Sequence, residues 1–442
     1  MKPVKLLLLF VSIFCFYSCE SAMNKSEQSE IDIESDEMRI SESSVDAVLS
    51  FVKDVYPQKY KILSVTKEAL KIEYVTNVSY EKNKFFAPSA DNASRELDTL
   101  LCVINFGNNE GFAIISTQDN QILAVTESGD LSIEDLTIEY TNDNFENNPK
   151  AVISNYVANY MSSLPTIPVG PIGPIGPTIP PGGPVVPDDS IDMGYAINGP
   201  WEIESQVNPL VQMKIGQRYP YNMYCPKIGN QYCLAGCAAI AVIQIMSANK
   251  YPNTIGGRTY DWNTIIDEYK MYASAQDILA YWIRIIGDGC KINYGLKGSG
   301  TKIDSVIECF SLYSRYKNVN KINNPNFEDV HSMLQNGTPL YFRGSRTDSI
   351  GELKGHAWVV DGYINKRQLI KLYDSNMTFI EEFYQYQRYV HCNWGWQGEC
   401  DGYYVMNIFD LKYGASIPDE SEPTTRDWHY NQYIQAIVYN LE

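Results

Sequence analysis

The sequence predicts an α+β protein of two domains, and three observations support this prediction. In the second domain apolar helices come first and short strands follow, the order expected of an α+β fold with an antiparallel sheet. The strongest helical segment begins at Cys237 and is apolar on nearly every side up to Met246, so it should be buried. After Pro339 the pattern changes to strands, first Leu340 to Arg343 and His356 to Tyr363. A stretch rich in proline and glycine separates this domain from a smaller first one.

The remaining elements of the second domain, expected over 195–442, follow the same order. A helix is predicted from Ile278 to Ile286, and Asn326 can cap another that Gly337 ends. The other predicted strands are Leu369 to Tyr373, Tyr389 to Trp394 and Tyr403 to Met406.

The first domain, expected over 44–163, has helix and strand patterns but no catalytic constellation. Apolar residues recur at helical spacing from Val45 to Val52, behind serines that favour a helix start. Pro149 opens a second predicted helix. The strands between these helices are predicted at Leu100 to Phe106, Gly111 to Ser116 and Gln121 to Thr126, the first two joined by a turn.

The segment 164–190 is predicted to be an extended linker. Nine prolines and five glycines fall between residues 164 and 187, and such a composition forms no packed core. Nicking by proteases concentrates in exposed segments of this kind. We therefore expect maturation cleavage in this linker, after which the first domain could leave.

The N-terminus is predicted to direct export. Lys2 and Lys5 precede an apolar run from Leu6 to Phe16 that is too short for a permanent membrane span. Cys19 follows a small residue directly after this run, as in a bacterial lipoprotein signal over 1–19. The alternative is an ordinary secretory signal with a cysteine nearby. Residues 20–43 are polar and acidic and are expected to form a solvated tether.

Composition excludes several classes of function. The chain has 442 residues and a formal net charge of -18, whereas a nucleic-acid binder needs a basic face. No cofactor is predicted. The spacing of Cys225, Cys233 and Cys237 lacks the paired CxxC pattern of structural zinc, so no metal site is predicted either.

The cysteines do not predict a dense disulfide framework. Of ten cysteines, eight lie beyond the predicted signal and its lipid-acceptor position. One catalytic thiol would leave an odd number, so they cannot all pair. Short loops could be closed by Cys225 with Cys233 or by Cys392 with Cys400, and the sequence leaves this open.

Cys237 and His356 are the candidate reacting groups. Cys237 stands at the start of the buried helix, where free N–H groups and the helix dipole stabilise a thiolate. His356 opens an apolar strand, a position from which a side chain can face a cleft. Taken alone, each could be an ordinary core residue. Thiol–histidine catalysis requires only that the two lie together in space.

Three further residues are candidates for supporting roles. The side-chain amide of Gln217 could join the backbone N–H of Cys237 in an oxyanion hole. Asn393, beside Trp394 and Trp396, could orient the imidazole and shield that bond from water. If they have no catalytic role, Gln217 is an ordinary polar loop residue, and Asn393 with the two tryptophans belongs to an aromatic-rich core hairpin.

Together these motifs resemble the streptopain family of papain-like cysteine peptidases. The matching segments are Gly216-Gln217 with Pro220-Tyr221-Asn222, Gly236-Cys237-Ala238 with Gln244-Ile245-Met246, Gly355-His356-Ala357 with Val360-Asp361-Gly362, and Asn393-Trp394-Gly395-Trp396. They cover the whole second domain in the order Gln, Cys, His, Asn/Trp of the papain-like fold. The resemblance implies a papain-like domain, an inhibitory prodomain that includes Asn105 to Gly129, and a tryptophan that supports the histidine.

Two positions depart from the family pattern without removing a reacting group. Ile215 stands where a tryptophan is usual, and Ala238-Ala239-Ile240-Ala241 stands where Val-Ala-Thr-Ala is frequent.

The expected function is therefore that of an exported or surface-anchored bacterial cysteine endopeptidase. Its expected partners are protein or peptide substrates, its own prodomain as an inhibitor, and a lipid on Cys19. Two alternatives stay open. A cell-wall amidopeptidase can use a similar cysteine–histidine pair, and an inactive peptidase scaffold can serve as a surface-binding protein.

Overall fold

A computed structural model of the chain describes residues 45–59, 70–76, 99–116, 121–137, 148–163, 193–347, 353–409 and 434–442. The signal predicted over 1–19, the tether over 20–43 and the linker over 164–190 lie outside these residues. The described residues, from 45 to 442, belong to one compact unit.

The first domain combines a meander of strands with flanking helices. Its helices are α1 (45–55), a short turn at 57–59, α2 (Ile133–Thr137) and α3 (Pro149–Ser163). Its strands are β1 (Leu70–Thr76), β2 (Thr99–Phe106), β3 (Phe112–Ser116) and β4 (Ile122–Thr126), with a 3-10 turn at Gly107–Asn109.

The second domain has helices in its first half and a large sheet in its second. The helices are α4 (Cys237–Asn249), α5 (Trp262–Glu268), α6 (Ala273–Gly289), α7 (Ile303–Ser311) and α8 (Phe327–Gln335). The main strands are β5 (Met193–Val207), β10 (Tyr316–Asn323), β11 (Leu340–Thr347), β12 (Leu353–Asp374), β13 (Phe379–Asn393), β14 (Gly402–Val405) and β15 (Gln435–Leu441). Two small hairpins, β6–β7 (Lys227–Ile228, Gln231–Tyr232) and β8–β9 (Thr254–Ile255, Arg258–Thr259), lie among the helices.

One antiparallel sheet runs through both domains. Its strand order is β1-β2-β3-β4-β14-β13-β12-β11-β15-β10, and β5 pairs with the far half of β12. The domains meet where β4 pairs with β14, with Ala124 opposite Tyr404 and Thr126 opposite Gly402. The first domain therefore extends the sheet of the second by backbone hydrogen bonds.

The hydrophobic core of the described residues has two parts. One surrounds α4 and contains the helices α5 to α7. The other includes the apolar faces of α1 and α3 together with Trp358, Trp394 and Tyr389. The first domain thus shares a core with the second instead of packing on it through a polar surface.

The α+β order predicted from the sequence is confirmed, while several details differ. The predicted strands His356 to Tyr363 and Leu369 to Tyr373 are parts of the single strand β12. Gly362, near the end of the first, passes close to Val207, and a Cβ at this glycine would lie 2.9 Å from the Val207 carbonyl oxygen. Close approach of a neighbouring strand, and not a turn, explains this glycine. β5 was not predicted, because its side chains alternate between exposed and half-buried and give little apolar signal.

Within the described part of the chain, no helix combines the length and apolar character needed to cross a membrane. The same residues contain no group of three or more histidine, cysteine, aspartate or glutamate side chains placed to hold a metal ion.

Candidate active site

Cys237 is the first residue of α4, and the backbone before it is built for this position. Gly236 has φ of 90°, which disfavours other residues, and a Cβ there would lie 2.8 Å from Ile292 and 3.1 Å from the Ser299 carbonyl oxygen. No side chain caps the helix at Gly236. The partial positive charge at the N-terminus of α4 favours an anion or a developing oxyanion there.

Among the eight cysteines in the described ranges, Cys237 is the one that is not buried. Burial raises the pKa of the Cys102 and Cys225 thiols to about 12, and it also raises the pKa of Cys392. A buried neutral thiol is a poor nucleophile. None of these eight forms a disulfide in the structure, including the pairs that could have closed short loops.

Gln217 lies in a loop that is joined to the segment before Cys237. Its carbonyl oxygen accepts a hydrogen bond of 2.9 Å from the N–H of Ala235, and the residue is 7% exposed. Gly216 leaves room for Gln397, whose Cγ would be 2.8 Å from a Cβ at that position. These contacts place Gln217 beside the N-terminus of α4.

His356 lies near the start of β12 and is fixed through one ring nitrogen. Its Nε2 is 2.9 Å from the carbonyl oxygen of Trp394. Because a carbonyl oxygen can only accept, Nε2 carries the hydrogen and Nδ1 of the neutral ring keeps its lone pair. Nδ1 is buried and has no hydrogen-bond partner among the described residues. It is the nitrogen that remains for proton transfer.

Aromatic side chains surround the imidazole of His356. The Trp396 ring is stacked on it at 4.3 Å between centroids, and Trp358 and Trp394 lie at 6.4 and 6.2 Å. Burial lowers the pKa of His356 to about 4, and the hydrogen bond to Trp394 opposes this more weakly. The ring is therefore neutral at neutral pH in this structure.

The helix of Cys237 packs against the loop that holds His356. Ile240, one turn after Cys237, lies on the same side of α4. Its Cγ2 would be 2.9 Å from a Cβ at Gly395, the residue after Trp394. The N-terminus of α4 thus lies against the segment whose carbonyl oxygen fixes the imidazole.

One comparison with known protein families covers the region that contains this site. Residues 215–404 match the model of the Peptidase C10 family. The matched range contains all five candidate residues: Cys237, His356, Gln217, Asn393 and Trp394.

Several individual proteins are similar to the chain. Streptopain of Streptococcus pyogenes is 24% identical over 44% of this chain and 53% of its own length. The thiol protease/hemagglutinin PrtT of Porphyromonas gingivalis is 23% identical over 44% of this chain and 23% of its own. The chain therefore spans about half the length of streptopain.

Two solved structures from Prevotella intermedia are also similar. A prointerpain A fragment has a TM-score of 0.47 and 20% identity, and covers 84% of this chain and 100% of its own. Active interpain A has a TM-score of 0.37 and 24% identity, and covers 54% of this chain and 97% of its own.

The side-chain hydrogen bonds of Asn393 go to residues other than His356. Its Oδ1 accepts hydrogen bonds from Gln244 at 2.7 Å and from the N–H of Gly395 at 3.3 Å, and its Nδ2 donates to the Met213 carbonyl at 3.2 Å. The amide is therefore engaged away from His356, and the backbone carbonyl of Trp394 makes the contact predicted for it. Asn393 ties the Trp394 loop to α4, which is an indirect contribution to the site.

Sequence reasoning assigned no role to three residues of the site and its surroundings. Gln244 is fully buried in an otherwise apolar helix, and a buried amide in such a place requires a partner. That signal was present in the sequence. Tyr156 and Asp401, which contact the Trp394 region from two sides, gave no comparable signal.

Proposed function

We propose that this chain is the precursor of a cysteine endopeptidase in which Cys237 is the nucleophile and His356 the base. One observation carries the proposal most directly. The half-buried thiol of Cys237 stands at a helix N-terminus that no side chain caps, and that helix packs on the loop that fixes His356 through Nε2 and leaves Nδ1 for the proton.

The arrangement supports acyl transfer in two stages. Nδ1 of His356 takes the thiol proton of Cys237, and the thiolate attacks the peptide carbonyl carbon. The imidazolium then gives its proton to the leaving amine, and an acyl-thioester remains on Cys237. In the second stage, His356 takes a proton from water and the resulting hydroxide attacks the thioester. The carboxylic acid product leaves, and the imidazolium returns its proton to the thiolate of Cys237.

Gln217 and the backbone N–H of Cys237 form the proposed oxyanion hole. Both would donate to the oxygen that becomes negative in the tetrahedral intermediate. The Gln217→Ala variant should lower kcat by roughly 10²–10³-fold and change KM much less, because the donor acts mainly as charge develops. A rise in KM with an unchanged kcat would contradict this role.

The thiol assignment is tested by a pair of variants. Cys237→Ala should abolish casein cleavage and labelling by an epoxide inhibitor. Cys233→Ala, which removes a buried thiol four residues earlier, should keep both per folded molecule. Casein cleavage by Cys237→Ala would overturn the assignment. Cleavage of purified peptidoglycan without any cleavage of casein would favour an amidopeptidase.

We further propose that the first domain, expected over 44–163, is an inhibitory prodomain. Tyr156 of α3 packs on Trp358 at 6.0 Å and on Trp394 at 6.1 Å, two of the three indoles around His356. Burial is what keeps His356 neutral. An imidazolium is needed to pair with the Cys237 thiolate, so a first domain that maintains this burial also suppresses the active ion pair.

The interface suggests that cutting the linker is not enough for release. The two domains share a sheet and an apolar core, and ion pairs join Asp54 to Lys366 at 3.1 Å and Glu127 to Lys214. Such an interface resembles an obligate one. We therefore revise the expectation that the first domain leaves after cleavage: release should follow its degradation.

Activity before and after cleavage tests this proposal. The intact precursor and the precursor cut only at 164–190 should both cleave a small peptide slowly. Digestion of the first domain should then raise the rate. Full activity of the intact precursor would contradict inhibition, and full activity on nicking alone would contradict a persistent complex.

We propose export with lipidation of Cys19 as the route to the cell surface. The basic start, the short apolar run and the small residue before Cys19 motivate it. Mass spectrometry of the protein made by its native host should find a diacylglyceryl-modified Cys19 at the N-terminus. An unmodified N-terminus beyond residue 19 would contradict lipidation and favour an ordinary secretory signal.

A further inference from the structure

Asp401 is a fully buried carboxylate that contacts the backbone holding His356. Its Oδ1 accepts a hydrogen bond of 2.9 Å from the N–H of Trp394. The carbonyl oxygen of the same residue accepts from Nε2 of His356 at 2.9 Å. One residue thus joins the carboxylate to the imidazole through its two backbone polar groups.

The second carboxylate oxygen of Asp401 has little to stabilise its charge. Oδ2 has no hydrogen-bond partner within the described parts of the chain, and its nearest cation is Lys214, whose Nζ lies 3.9 Å away. Lys214 makes a closer contact with Glu127 of the first domain. Burial raises the pKa of Asp401 to about 7, against the opposing effect of Lys214. A buried carboxylate in such a place costs stability.

That cost argues for a role other than stability. An apolar side chain of the same shape would avoid the desolvation, but it could not accept from Trp394. The backbone N–H at 394 would then be buried without a partner, and the loop could turn its carbonyl oxygen away from His356. The acceptor fixes the direction of the peptide groups on either side of Trp394.

We propose that Asp401 is a positioning residue for His356, acting through the backbone of Trp394. On this proposal, which rests on the assigned roles of Cys237 and His356, the carboxylate keeps Nε2 of the imidazole bonded and Nδ1 directed at the thiol. In the precursor, Lys214 forms an ion pair with Glu127 of the first domain. Loss of that domain would therefore allow this lysine to approach Asp401.

Two variants of equal shape isolate the hydrogen bond. Asp401→Asn and Asp401→Leu both remove the charge, and only leucine removes the acceptor. In the matured enzyme, kcat per titrated active site should stay within about fivefold of wild type for asparagine and fall about tenfold to a hundredfold for leucine. KM should change little in both. Equal kcat values for the two variants would overturn the proposal.

A second readout does not depend on peptide hydrolysis. The rate at which iodoacetamide alkylates Cys237, followed against pH, reports the thiolate–imidazolium pair. The leucine variant should lose reactivity below the ordinary thiol pKa, and the asparagine variant should keep it. A wild-type enzyme that alkylates in this way without cleaving protein would contradict the proposed function and leave the positioning role standing.

Asp361→Leu is the matched control for Asp401→Leu. Asp361 is also fully buried and accepts from a backbone N–H, that of Val211 at 2.8 Å, but it does not contact Trp394. It should lower the melting temperature and keep kcat per active site within about twofold, as expected of a purely structural contact. An equal loss of kcat in both aspartate variants would contradict a specific role. If Asp401→Leu does not fold, Asp401→Ala makes the same comparison with less crowding.

Discussion

Two buried histidines lie on neighbouring strands of the sheet, and their surroundings are opposite. His356 on β12 has aromatic neighbours and one bond, to a backbone carbonyl. His391 on β13 has Asp361 at 2.6 Å from Nδ1 and Glu127 at 3.3 Å from Nε2. Burial lowers the pKa of both, but in His391 the two carboxylates outweigh it and raise the pKa to about 10.

The comparison shows that burial alone does not identify a catalytic histidine. His356 keeps a nitrogen with no partner among the described residues and a pKa that depends on solvent access. His391 has a carboxylate at each nitrogen and is a fixed cation. His356 suits a catalytic base whose protonation changes when the site is covered. His391 suits a contact with the first domain, which supplies Glu127.

The largest expected effect comes from removing the imidazole ring of His356. His356→Ala should lower kcat/KM of the matured enzyme by about 10²–10⁴-fold, because the proton path is lost. Casein hydrolysis normalised to folded protein measures this. A near wild-type rate in His356→Ala, with an inactive His391 variant, would reverse the comparison.

A smaller effect is expected from the carboxylate that the first domain places beside His391. In a nicked Cys237→Ala precursor, Glu127→Gln should speed dissociation of the two domains about tenfold or more, because it leaves Lys214 and His391 without this partner. Asp130→Asn is the control, since Asp130 pairs only with Lys150 of its own domain among the described ion pairs. Equal dissociation rates in the two variants would show that Glu127 is no anchor.

The same contact should make the complex sensitive to alkaline pH. A raised pKa means that the contribution of charged His391 is fully present below its ordinary pKa of 6.5 and is lost as the pH rises towards about 10. The nicked complex should therefore dissociate several-fold faster at pH 9.5 than at pH 7. The Glu127→Gln complex should lose most of this dependence, and a wild-type complex without it would contradict the assignment.

The smallest effect is expected in the matured enzyme once the first domain is gone. His391→Gln should change kcat by no more than a few-fold, while the melting temperature falls because Asp361 loses its partner. Thermal unfolding beside peptide hydrolysis separates the two quantities. A large loss of kcat at an unchanged melting temperature would place His391 in the reaction.

Sequence reasoning reached the elements and the reacting groups more readily than their partners. The helix at Cys237 followed from an apolar run that ends in Met246, and the α+β order followed from the switch to strands after Pro339. Local patterns of this kind depend on neighbours along the chain.

The partners depend on contacts between distant residues, which no local pattern encodes. Asn393 was expected to orient the imidazole, yet Gln244 and Met213 engage its amide from 149 and 180 positions away. The carbonyl of Trp394 contacts the imidazole instead. Every residue has a backbone carbonyl, so the sequence does not indicate which one makes this contact. The opposite surroundings of His356 and His391 likewise arise only when the sheet and the first domain come together.

The most direct test of the account follows the reactivity of Cys237 with pH. In the matured wild-type enzyme, alkylation by iodoacetamide should persist well below the ordinary thiol pKa, because His356 becomes the imidazolium partner of the thiolate. The His356→Ala variant should react only as the pH approaches about 8.5, the ordinary value for a cysteine, and His391→Gln should follow the wild type. The same pH profile in wild type and His356→Ala would contradict the pairing of Cys237 with His356.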